Sequence, residues 1–380
     1  MSERVDPGFI KEMKHYGTSD WNACFHCGNC TAICPFTENE SLFPRKGIRQ
    51  MQMGLKDSLA SNVDPWLCYY CGECSDTCPR NANPGEIMMS LRRYLTTIYD
   101  WTGLAKRFYQ SKKWEFGVMI LLALLIMILF IFFHGPMTRE LTSEGGVQLN
   151  TFAPWKKIEI GDWIMAGLLS FFLISNILNM YLKIIVKDRQ LKVPFRFYII
   201  EFWSLIVNFF TQKKFSKCEK DRTYWITHLL VMTGYTIMFI LIVVFLGWFQ
   251  TDAIHPWWHG QRLLGYYATF GLLVGIFYFL AGRFKQNTQK NKYSHFTDWS
   301  FLILLLLTTL SGILVHIFRV TGLPMLTYYT YVIHLMILFP MLMIEVPFSK
   351  WSHLAYRPFA IYFYNLKKRA MNRQLQPVLQ

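Results

Sequence analysis

Eight of the nine cysteines fall before residue 80, and their spacing is regular. Cys24-x2-Cys27-x2-Cys30-x3-Cys34-Pro35 is repeated as Cys68-x2-Cys71-x2-Cys74-x3-Cys78-Pro79. Three cysteines on one tight loop offer three thiolates to a single 4Fe-4S cubane. The fourth stands one residue further on, before a proline, and leaves the loop for the other cluster. The pattern therefore assigns Cys24, Cys27, Cys30 and Cys78 to one cluster, and Cys68, Cys71, Cys74 and Cys34 to a second. Gly28 and Gly72 let the backbone close on the sulfurs. Structural zinc is the competing chemistry, but zinc takes two separated cysteine pairs more often than a triple plus one. The stretch from Met1 to Gly17 is polar and charged, without the apolar run of a cleaved signal. A reducing compartment is expected, and a secreted disulfide scaffold is not. Cys218, alone among lysines, reads as a free thiol.

Histidines carry the second chemistry. His228, His316, His334 and His353 all lie within or beside apolar segments. Ionisable side chains in such segments are expensive and usually functional. By depth they sort into an inner pair, His228 with His353, and an outer pair, His316 with His334. Two bis-histidine haems, one near each membrane face, would use all four, since imidazole is a common axial ligand. His334 and His353 would be about 28 Å apart on one continuous helix, the spacing of two sites. Gly234, Gly265, Gly271, Gly275 and Gly312 offer either room for a flat macrocycle or close helix packing. Near the outer boundary, His255-Pro-Trp-Trp-His259-Gly-Gln-Arg262 gathers imidazoles, indoles and a guanidinium. It reads either as an aromatic anchor or as a quinol site with His259 and Arg262 as polar contacts.

These residues need elements to hold them. Of the 380 residues, 53% are hydrophobic and 17% charged, more apolar than a soluble chain requires. Six stretches are long and apolar enough to cross a bilayer core, which takes about 20 helical residues. They are 116–133, 163–186, 223–249, 262–281, 299–318 and 328–348. A helix over 86–109 would lead from the cysteine-rich part into the membrane. The stretch 194–211 contains Arg196 and Glu201 and reads as an amphipathic helix on the inner surface. The net charge of +15 sits almost wholly beyond residue 115, so a nucleic-acid partner is not expected. With the N-terminus inside, the inner loops and tail hold 19 Lys and Arg against 4 in the outer loops. The expected fold is thus α-helical. A small ferredoxin-like two-cluster domain (1–115) lies in the cytoplasm, and a six-span bundle (116–380) lies in the cytoplasmic membrane. Glu345 is the one acid expected deep within a span.

The first 110 or so residues resemble the small iron–sulfur subunit of heterodisulfide reductases. The resemblance rests on both cysteine motifs, Phe43-Pro44-Arg45 between them, and Pro79-Arg80 and Asn83-Pro84 after. Residues 224–364 resemble the cytochrome b subunit of respiratory nitrate reductases, through Tyr224 to His228 and Pro347-Phe348-Ser349-Lys350-x-x-His353. The fusion of the two resembles the membrane subunit of quinone-interacting membrane-bound oxidoreductases. That resemblance implies two 4Fe-4S clusters, haem b at His228, His353 and His334, and menaquinol as electron donor. It also implies soluble flavin/iron–sulfur partner subunits, with adenylylsulfate reductase in sulfate respiration as the final acceptor. Where the cytochrome family has a second histidine ten residues after His228, this chain has Met238. Either His316 replaces that histidine or Met238 is itself a ligand. No G-x-G-x-x-G fingerprint occurs, so flavin chemistry would reside on partners. The alternative is a membrane anchor of a related heterodisulfide- or sulfite-reductase-linked complex, without its own quinone site.

Overall fold

A computed structural model describes residues 3–17, 20–37, 42–188, 190–217 and 222–375. It is helical throughout. Among the described residues the only β pairing is one isolated bridge, Leu141 with Val147. Six helices are long and apolar enough to cross a membrane: Lys112–Phe133, Trp155–Val186, Arg222–Val243, Gly260–Lys285, Phe296–Val320 and Pro324–Phe348. They fall where hydropathy places them, and the protein is a multi-pass membrane protein. The third ends earlier than expected. Beyond a turn at Phe245 the chain forms a separate short helix, Leu246–Phe249. Gln250 then fixes this corner. Its amide donates to the Ala153 carbonyl at 2.7 Å and its oxygen accepts from the Tyr331 hydroxyl at 2.9 Å.

The helix expected over 86–109 is two helices, Pro84–Tyr99 and Leu104–Gln110. Asp100 causes the break. Its carboxylate accepts from the backbone N–H of Thr102 at 3.0 Å and of Ala105 at 2.8 Å, so it caps the second helix. Asn83 caps the first, with Pro84 at the opening position where a missing N–H does no harm.

The stretch 194–211 forms the helix Phe195–Thr211. Its Glu201 is buried and pairs with Arg369 at 2.5 Å, while Phe195, Ile199 and Trp203 remain exposed on the other side. That two-faced pattern suits a helix lying on a bilayer surface.

The sixth span does not run on to His353. Pro347 lies in its last turn, Ser349 leaves helical geometry, and His353 opens a new helix, His353–Leu375. The 28 Å line expected between His334 and His353 is therefore bent. The final helix turns back onto the cysteine-rich domain. Tyr356, Ala360, Phe363 and Leu366 share one hydrophobic core with Trp66, Leu91 and Tyr99. Tyr356 lies 5.2 Å from Trp66 and 5.7 Å from Tyr99 between ring centroids. A buried ion network joins the same two regions. Arg93 contacts Glu86 and Asp298, each at 2.9 Å, and Lys350 also pairs with Asp298.

Candidate redox centres

The two cysteine loops are built alike. Gly28 (φ 89°) and Gly72 (φ 93°) take left-handed backbone before the short helices Asn29–Ile33 and Glu73–Asp76. His26 and Tyr70, each two residues after the first cysteine, are left-handed as well. Within each loop the thiols are neighbours, Cys30 within electrostatic reach of Cys24 and Cys27, and Cys74 of Cys68 and Cys71. The fourth cysteines cross over. Cys78 lies within electrostatic reach of Cys24 and Cys30, and Cys34 within reach of Cys68, Cys71 and Cys74. Cys34, Cys68, Cys71 and Cys74 line one cavity with Phe36, Tyr69 and Met88. Backbone N–H groups already point at sulfur, Tyr70 toward Cys68 at 3.3 Å and Ala82 toward Cys78 at 3.4 Å. This donor set fits two cubanes with exchanged fourth ligands. Burial pushes the Cys30 thiol up to about 11 and the Cys34 thiol to about 12, so loading the clusters releases protons. Among the described residues no three His, Cys, Asp or Glu side chains converge as a single metal ion would need. Cys27 is exposed, whereas Cys68 is buried. Cys218 lies outside the described residues.

The structure brings His228 and His353 together, with ring centroids 6.0 Å apart. Two imidazoles at this separation could share one iron between them, so the pair would be able to hold a haem. Each ring engages its Nδ1 with the protein. His228 meets Gln212 Oε1 at 2.9 Å and His353 meets the Lys350 carbonyl at 2.6 Å. Such contacts fix the ring and leave Nε2 to face a metal. Burial first, then the nearby Arg357 cation, holds the His353 imidazole well below its ordinary value, so it is neutral and able to ligate. The cavity around the pair also takes in Arg92, Arg283, Arg357, Tyr224 and Phe301.

This cavity abuts the second cysteine loop. Arg92 and Arg357 both donate to the Cys68 carbonyl, Arg357 at 3.1 Å. Tyr69 stacks on Phe215 at 4.8 Å, and Phe215 lies 5.8 Å from His228. Arg357 sits over Tyr69 at 4.5 Å. None of these contacts was read from the sequence. Arg357 alone left a trace, four residues after His353 and hence on the same helical face.

A second, apolar cavity holds His316, His334, Met238, Arg262 and Tyr266. His259 does not line it. That ring stacks on His255 at 4.0 Å in the loop above. His334 meets Ser311 through Nδ1 at 2.9 Å. Both ring nitrogens of His316 are engaged, Nδ1 by Arg262 at 2.8 Å and Nε2 by the Tyr266 hydroxyl at 3.2 Å. A guanidinium can only donate, so Nδ1 accepts, and the neutral ring carries its proton on Nε2. Gly265 and Gly312 line this cavity. Gly234 and Gly271 instead meet backbone of the neighbouring helix.

Glu345 is not isolated in its span. Glu115, at the start of the first span, reaches the same Ser300 hydroxyl.

Residues 20–82 match a family model described as a 4Fe-4S dicluster domain. Over 112 residues the chain is 31% identical to a protein of Archaeoglobus profundus that is like the C subunit of heterodisulfide reductase, covering 29% of this chain and 59% of that one. Over 99 residues it is 32% identical to the C2 subunit of the H(2)/formate:CoB-CoM heterodisulfide,ferredoxin reductase of Methanococcus maripaludis, covering 24% and 53%. Over 63 residues it is 33% identical to the C subunit of the H(2):CoB-CoM heterodisulfide,ferredoxin reductase of Methanothermobacter marburgensis, covering 17% and 34%. The chain thus spans between about a third and three-fifths of these relatives' length. No solved structure matches the chain significantly. Its N-terminal part is a 4Fe-4S dicluster domain similar to the C subunit of heterodisulfide reductases.

Proposed function

We propose that this protein is the membrane electron-transfer subunit of a quinone-linked oxidoreductase. Menaquinol is oxidised in the outer half of the bundle, and electrons leave through the iron–sulfur domain on the cytoplasmic side. Soluble flavin/iron–sulfur subunits receive them, and adenylylsulfate reductase is the final acceptor. The observation that carries this reading is the seam between the inner histidine pair and the Cys34, Cys68, Cys71 and Cys74 set. Tyr69, Phe215 and Arg357 bridge the two through direct side-chain contacts. The cysteine set nearer His228 and His353 is the entry cluster, and the set with the exposed Cys27 is the exit toward partners.

The haems and clusters, when bound, supply one-electron relay chemistry. His228 and His353 would hold the inner haem. At the outer end His334 would help hold the second haem. The engagement of both His316 nitrogens favours Met238 over His316 as its partner. His316, Arg262 and Tyr266 then form the polar end of an apolar cavity, suited to a quinol ring. Quinol oxidation releases protons, and imidazole exchanges them near neutral pH.

Spectra of the purified full chain test the assignment. His353→Ala should remove about half of the low-spin b-type signal, one of two haems. An unchanged spectrum overturns the inner pair. His316→Ala should keep the full haem complement and slow reduction by a quinol analogue. Loss of haem in that variant would make His316 a ligand.

A further inference from the structure

Glu115 and Glu345 belong to neither cysteine set nor to a haem cavity, and both side chains are fully buried. They come from opposite ends of the sequence of spans and meet at Ser300 of the fifth. The Ser300 hydroxyl lies 3.1 Å from Glu115 Oε1, 3.2 Å from Glu345 Oε1 and 3.3 Å from the Thr297 carbonyl, and its single proton cannot serve both carboxyls. Glu345 Oε2 accepts from the Lys350 backbone N–H at 3.2 Å. Glu115 Oε2 is buried and meets no N–H or O–H donor among the described residues. The Glu345 carboxyl lies within hydrogen-bonding reach of the Glu115 carboxyl and can donate to it only when protonated. Two carboxylates in contact away from water do not both carry charge.

Lys350 ties this pair to the inner histidines. Its N–H serves Glu345, and its carbonyl holds Nδ1 of His353. We infer that Glu115 and Glu345 form a proton-binding site linked to the redox state of the inner haem. The inference rests on the haem reading above. The pair takes up one proton from the cytoplasmic side as one electron arrives between His228 and His353. It gives the proton back when the electron leaves for the entry cluster. Electron and proton balance, the electron coming from quinol, so the charge of this buried region stays constant. Other charged groups facing the pair are already paired or neutral. Asp298 is held by Arg93 and Lys350, and burial pushes the Tyr109 phenol up, so it stays protonated.

Linkage is reciprocal: if reduction favours the proton, the proton favours reduction. Spectroelectrochemical titration of the full chain across pH reads this directly. The midpoint potential of the inner haem should fall as pH rises. Glu345→Gln and Glu115→Gln should flatten that dependence while leaving haem content and spectrum unchanged. A flat wild-type profile, or variants that keep the wild-type slope, overturns the inference. Should either variant fail to assemble, redox-difference infrared spectra of the wild type provide the check. A protonated-carboxyl band must grow on reduction, and its absence rejects the site. Absence of any b-type spectrum would instead reject the haem reading on which the site depends.

Discussion

Cys34 sits ten residues after the first cysteine of its own motif, yet it faces Cys68, Cys71 and Cys74. The loop explains this. Residues 24 to 30 wrap tightly behind a left-handed Gly28, and the chain then straightens through Cys34, whose ψ is 122°. Cys34→Ser should therefore damage the cluster of the second motif and spare the one beside it in sequence. Electron paramagnetic resonance of the reduced protein would show one cluster signal lost or altered and the other kept. The two motifs were legible in the sequence because their spacing is a local property and each folds over a few residues. The carboxylate pair was not legible. Glu115 and Glu345 are separated by most of the membrane bundle, and only helix packing joins them. Arg262 was picked out as a quinol contact from its loop, but its pairing with His316 on another span was invisible for the same reason.

Helix positions were readable from apolar run length, and six helices fill the six expected stretches. Helix ends were less so, because side-chain caps such as Asp100 decide them. The glycines illustrate a choice that sequence left open. A Cβ on Gly271 would lie 2.8 Å from the Leu230 carbonyl oxygen, and one on Gly234 would lie 2.8 Å from that of Ala268. These positions let the third and fourth spans touch backbone to backbone, as small residues do in membrane helix pairs. Gly271→Leu should force the two helices apart, at about 1–3 kcal/mol for overpacking a tight contact. A thermal melt of the detergent-solubilised protein should drop by a few degrees, with the clusters in the N-terminal domain intact before melting. An unchanged melt would mean that the two spans tolerate separation.

Across the whole molecule, Arg93 ties the cluster domain to the fifth span through a buried ion set. Arg93 is buried between Glu86 and Asp298, two acids from regions far apart in sequence. Removing one partner from a buried ion set leaves uncompensated charge and costs about 3–5 kcal/mol. On the electron-transfer function proposed above, Arg93→Ala should keep the clusters and the proposed haems but loosen the seam. Rapid-mixing spectra should then show haem reduction by quinol followed by slowed cluster reduction, and limited proteolysis should release the N-terminal domain. The shared core has a different kind of consequence. A chain is made from its N-terminus, so the cysteine motifs leave the ribosome long before Tyr356, Phe363 and Leu366 exist. Until the last helix has been synthesised and folded back, Trp66 and Tyr99 lack the neighbours that bury them. Burial of the first domain's core thus waits on synthesis of the helix His353–Leu375. The helix that seals its core also carries His353, so its docking would complete both that core and the proposed haem pair.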